Sequence, residues 1–136
     1  MTGAVEYSAE ERFARSFIRK RFRERLLYEL TTPKMRYKGL DRFCHQSGEL
    51  LDPDKIIMED SNLENSARFR DFMKEHAGQC VMLSPDQALD GRTLPLREAV
   101  AYAARGLDAV IILGDDYAVV FAEAVKGGRG KYLLCE

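Results

Sequence analysis

The chain has 136 residues, 46% of them hydrophobic and 32% charged, with a formal net charge of −1. This size and composition suit one soluble folded domain and exclude the low-hydrophobicity regime of disordered chains. The three cysteines, Cys44, Cys80 and Cys135, are widely spaced and form neither a disulfide framework nor a zinc knuckle, and no apolar run approaches the roughly 18 residues that span a bilayer, so a cytoplasmic protein without membrane insertion is expected.

The near-zero total conceals a split. Residues 1–46 carry eleven Lys or Arg against six Asp or Glu, whereas the remaining ninety carry ten against sixteen. Such asymmetry concerns partners rather than chemistry, because a basic segment docks on an acidic surface or a polyanion.

Ser8 and Glu11 have the spacing of a capping box, which predicts a helix from about residue 9 to Leu30. At 100° per residue Phe13, Phe17, Leu27 and Tyr28 fall on one side of that helix, and Ile18, Phe22, Leu26 and Leu30 nearly opposite. A surface helix needs one apolar stripe, so the second requires cover from the following segment or from another subunit. Ile18, Phe22, Leu26 and Leu30, with Arg19 and Arg23 beside them, are therefore the expected interface with a partner protein or a second copy of the chain.

Pro33 is placed to open a second helix carrying Tyr37, Leu40 and Cys44, ended by Gly48. Residues 49–60 contain the turn signal Asp52, Pro53 and Asp54, and their pattern does not separate a turn from a helical turn. Ser61 and Glu64 repeat the capping-box spacing ahead of a third helix with Phe69, Phe72, Met73 and His76, closed by Gly78.

From Cys80 to Ser84 the pattern is that of a short strand stopped by Pro85. After a loop, Pro95 starts a helix with Leu96, Val100, Ala103 and Leu107 on one stripe. Ala109 to Leu113 is continuously apolar, as in a strand covered on both faces. Tyr117 to Val125 alternates bulky residues with alanines, Gly127, Gly128 and Gly130 form a turn, and Lys131 to Cys135 forms a last strand. The expected fold is α+β in one domain, residues 1–136. A basic helical segment, 1–48, packs on a small mixed sheet within 49–136, built from a strand, a crossover helix returning to a parallel strand, and a three-stranded antiparallel meander.

Three clusters are candidates for chemistry. Asp86, Arg92 and Thr93 belong to the loop between a strand end and a helix start, where α/β sheets commonly hold ligands. Asp115 and Asp116, with Glu123, supply carboxylates for a divalent metal. Gly114, Asp115 and Asp116 between apolar strands also resemble, over about fifteen residues, the metal-binding turn in the palm of RNA-dependent polymerases, where paired carboxylates hold two cations. A Gly-Asp pair is equally a common hairpin turn, and the chain lacks the length for the surrounding polymerase elements. Glu123 and Lys126 stand three apart, which in a regular strand turns them to opposite faces and departs from the nuclease pattern of an acid and a Lys flanking one residue. Cys44 and His45 are adjacent and point about 100° apart on a helix, so a nucleophile pair is not built there.

The leading expectation is a non-catalytic binding or regulatory protein, without a cofactor, that acts through protein contacts or self-association. Nucleic-acid binding through the basic N-terminal helix stands second, and a divalent-metal phosphodiesterase using Asp115, Asp116 and Glu123 third.

Overall fold

In the computed structural model, which describes residues 8–106, 108–122 and 129–136, the first helical stretch is broken into two. Helix α1 spans Ala9–Phe17 and α2 spans Lys20–Thr31. Ser8 caps α1 as its sequence implies, its hydroxyl accepting from the Glu11 amide. The break needs no Gly or Pro. Ile18 is extended and pairs with Leu51, the Arg19 amide donates to Leu50 O, and the Asp52 amide donates to Phe17 O. The backbone hydrogen bonds that a continuous helix would make at this point are thus made with the 50–52 segment instead.

The break corrects the expected interface. A continuous helix puts its two stripes on opposite sides; the bend brings Phe13 and Phe17 of the first stripe to the same core as the second, while Leu27 and Tyr28 stay on the outer side. Phe13, Phe17, Ile18, Leu26 and Leu30 lie in one buried cluster, with Phe22 partly buried against it. The apolar stripe assigned to another subunit is covered by the chain itself.

Helix α3, Pro33–His45, packs antiparallel to α2 with Pro33 in its first turn. The close approach falls at Gly39, where an added Cβ would lie 2.7 Å from Glu29 Cβ. Gly48 does not end this helix but sits in a further helical turn, α4, Ser47–Leu50. Residues 49–60 resolve into the end of α4, a 3₁₀ turn at Pro53–Lys55, and strand β1, Ile56–Glu59. A second 3₁₀ turn, Leu63–Asn65, precedes α5, Ala67–Glu75, which Ser66 caps through the Phe69 amide. Ser61 is therefore not the cap, and Glu64 instead pairs with Lys131 at 2.9 Å.

The remaining elements are β2 (Gln79–Leu83), β3 (Thr93–Pro95), α6 (Leu96–Arg105), β4 (Val110–Leu113), β5 (Tyr117–Phe121) and β6 (Lys131–Cys135). Among the described residues the strands form one sheet in the order β1-β6-β5-β4-β2-β3, antiparallel at every pairing. The meander of β4, β5 and β6 is as expected; the parallel pair is not. β2 turns back into β3, a strand of only three residues, before the crossover helix begins. α6 therefore joins β3 to β4, which flank β2 and run in the same direction, and both are antiparallel to β2. One unrecognised short strand reverses the sense of the next.

Alternation along the strands divides the core in two. Leu83, Ile111, Leu113, Ala118, Val120 and Leu134 face the cluster built on α1, α2 and α3. Met82, Ile112, Val119, Phe121 and Leu133 face a second cluster with Phe69 of α5 and Leu96, Ala99, Val100 and Ala103 of α6. The result is an α+β fold in three layers, with helices on both faces of the sheet, which is why the central strands are apolar on both sides. Among the described residues no helix is long and apolar enough to cross a membrane.

Candidate functional site

The β4–β5 turn holds the carboxylates singled out for metal. Gly114 is required there because a Cβ would lie 2.2 Å from the Tyr117 ring, which folds under the turn. Arg12 of α1 fixes the turn from outside by donating to Gly114 O at 2.9 Å. Asp115 and Asp116 are exposed at the mouth of a cleft of about 240 Å³, lined also by Glu75, His76, Gln79 and Tyr117. His76 stacks on Phe72 with ring centres 3.9 Å apart and meets Tyr117 edge-on, and its Nδ1 lies 3.0 Å from Phe72 O, so it closes the end of α5. Tyr117 Oη and Cys80 Sγ share a hydrogen bond of 2.9 Å, and burial holds the thiol and the phenol protonated above their ordinary ranges. Glu123, like Lys126, Gly127 and Gly128, lies outside the described residues. Among the described residues no three His, Cys, Asp or Glu side chains are arranged to hold a metal ion.

The expected ligand loop is a hairpin turn rather than a strand-to-helix crossover. Asp86 accepts from the Ala88 amide, Arg92 lies over the Tyr102 ring, and Thr93 opens β3, so each has its own local partner. The organising residue is Asp90. It takes two parallel 2.8 Å hydrogen bonds from Arg36 of α3 and one from the Ser84 amide. Arg36 also donates to Glu10 at 2.6 Å and to Leu30 O. Asp90 first, then Glu10, hold this guanidinium protonated against its partial burial. The cluster ties α1, α2 and α3 to the hairpin and is a clasp.

Arg129, another residue that patterning does not single out, serves the opposite layer. Its guanidinium donates to Ala122 O, Ala103 O, Gly106 O and Asp108 O, closing the carbonyl end of α6, and burial lowers its pKa. Cys44 and His45 diverge as their spacing implies: the thiol is buried and donates to Leu40 O, while the imidazole is exposed against Asp41.

What remains is the outer face of the first helical layer. Between residues 8 and 50 the exposed cations are Arg15, Arg19, Lys20, Arg21, Arg25, Lys34 and Lys38, and the exposed carboxylates are Glu24 and Glu49. The other described residues expose ten carboxylates and six cations. The imbalance is sharper than in the sequence because this segment turns two of its acids inward, Glu10 to Arg36 and Glu29 to Arg42 at 2.7 Å, while Glu11 pairs with exposed Arg15 along the surface of α1. At the α1–α2 bend the face opens into a groove of about 470 Å³ lined by Arg15, Lys20, Arg21, Arg23, Glu24 and Leu27. Of the expected interface residues, Arg19 is exposed with its guanidinium on Leu51 O, and Arg23 borders this groove; Ile18, Leu26 and Leu30 form the underside of the layer. Comparison of the chain with protein-family models, curated proteins and solved structures gave no match.

Proposed function

We propose that this protein is a binding module without chemistry of its own, and that it docks an acidic partner protein through the outer face of α1 and α2. The observation that carries the reading is the seven-to-two excess of cations over carboxylates exposed by residues 8–50, on a molecule whose remaining described surface is net acidic. A surface made only for solubility mixes the two signs. Complementary fields speed and orient encounter, and like charges elsewhere on the molecule reject wrong approaches. Self-association through the apolar stripe loses its basis, since that stripe is core. The composition of the face also fits a protein contact, because arginine and tyrosine dominate such interfaces, and exposed Tyr28 and Tyr37 accompany the arginines.

Ion exchange above the isoelectric point tests the reading. At pH 7.5, above the sequence pI of about 6.2, an evenly charged protein passes through a sulfonate resin. This one is expected to be retained at low salt, and the triple variant Lys20→Glu, Arg21→Glu, Arg25→Glu is expected to flow through. Flow-through of the wild type would remove the face as a docking site.

A further inference from the structure

The groove at the α1–α2 bend differs from the rest of the basic face in how its side chains are held. Arg23 donates through Nε to Ala14 O at 3.0 Å and through Nη2 to Ile18 O at 3.2 Å, capping the carbonyl end of α1, and leaves Nη1 without a partner among the described residues. Arg21 lies over the Phe22 ring, 4.5 Å from its centre, and makes no hydrogen bond or ion pair among the described residues. Arg15 is positioned by Glu11 at 3.1 Å. Three guanidiniums are therefore oriented before any partner arrives. Long side chains on an ordinary surface lose rotamer freedom on binding, and these have already lost part of it. Arg21 keeps its planar guanidinium for two-pronged recognition of a carboxylate, whereas Arg23 offers a single prong, Nη1.

On α2, Lys20, Arg23, Glu24 and Leu27 recur at helical spacing and share one stripe, with Arg15 of α1 across from them. Leu27 is a half-buried apolar patch among the cations. Glu24 repels any anion placed beside it. A continuous polyanion suits this arrangement poorly. A nucleic-acid strand brings a charge at every nucleotide, so a strand tracking the groove meets Glu24 and then the acidic remainder of the molecule; no aromatic ring lines the groove for a base to stack on. A protein segment can place carboxylates only where cations wait, and put an aliphatic side chain on Leu27.

We propose that this groove binds an acidic segment of a partner protein in which Asp or Glu residues flank one aliphatic side chain. The proposal rests on the docking reading above and specifies its partner. Anisotropy of a labelled short peptide with glutamates flanking a central leucine, titrated with the full-length protein, tests it. Binding is expected to weaken at least about tenfold in Arg21→Glu or in Lys20→Glu, to weaken as salt rises from about 0.05 to 0.3 M, and to weaken when the leucine is replaced by serine at constant charge. Far-UV circular dichroism and the melting temperature of each variant separate lost binding from lost fold. A single-stranded oligonucleotide of equal charge that binds more tightly than the peptide would overturn the proposal in favour of nucleic acid. Indifference to the leucine would overturn the segment's chemistry and leave simple charge attraction. If the wild type is retained on sulfonate resin yet binds no peptide, the proposal fails and the docking face stands; if it is not retained, both fail.

Discussion

The two helical layers cover opposite faces of one sheet with cores of the same kind, yet they present different surfaces to solvent. In the layer of α5 and α6 both signs stay outside: Arg68, Arg70, Asp71, Lys74 and Glu75 are exposed on α5, and Arg97, Glu98 and Arg105 on α6. In the layer of α1, α2 and α3 the carboxylates Glu10 and Glu29 are turned inward onto Arg36 and Arg42, and Glu24 is the exposed carboxylate between residues 9 and 45 beside seven exposed cations. Burial patterns are alike on the two sides because the sheet demands the same thing of each: an apolar cover. Charge is not constrained by the sheet, so the excess of cations on this layer is not set by the fold, and the proposed docking rests on it.

The comparison is broken or sharpened most strongly at the cores. Phe13 and Phe69 are both fully buried, one in each cluster. Replacing either with Ala is expected to cost about 3–5 kcal/mol in denaturant unfolding; a loss below about 1 kcal/mol for Phe13→Ala would mean that the basic layer is not an integral part of the fold. Next is the clasp. Arg36→Ala leaves Asp90 and Glu10 without their cation in a partly exposed setting, and a loss of about 2 kcal/mol is expected. Gly39→Ala brings Cβ onto Glu29 and is expected to cost about 1–3 kcal/mol by parting α2 from α3.

A smaller effect appears at high pH, on the other side of the sheet. Cys80 and Tyr117 ionise near 9 and 10 in an unfolded chain, and burial raises both in the fold. Groups raised in this way contribute fully below the unfolded values, and their contribution is lost as pH rises past them. Stability is therefore expected to fall above about pH 9, less steeply in Tyr117→Phe, as followed by urea titration across pH. The smallest effect on folding, within about 0.5 kcal/mol, is expected of Arg21→Glu, because the side chain is exposed and its contact is with the ring of its neighbour Phe22. That variant separates docking from stability.

The α+β class, the meander and the helix following Pro95 were legible because each rests on local signals: alternation, continuous apolar runs and a proline at a helix start. What escaped was set by distant contacts. The break after Phe17 has no local breaker and follows from pairing between residues 18 and 51. The three-residue β3 is too short to show a period, and missing it inverted the direction assigned to β4. Ser66 rather than Ser61 capped α5 because both serines have suitable neighbours and only packing chooses between them. At the candidate site the charge split was visible, whereas the grouping of Arg15, Lys20, Arg21 and Arg23 around one groove was not. On a straight helical wheel the arginines surround the axis; in the folded chain Arg12 is drawn to the β4–β5 turn and Arg23 to the end of α1, and the others are left facing outward.

The most direct test of the docking face is amide chemical-shift mapping during titration with the glutamate-flanked leucine peptide. Perturbations are expected to concentrate at Arg15 and between Lys20 and Leu27, and to vanish in the Lys20→Glu, Arg21→Glu double variant. Shifts centred on Glu75, Asp115 and Asp116, or an unchanged spectrum at saturating peptide, would contradict the account.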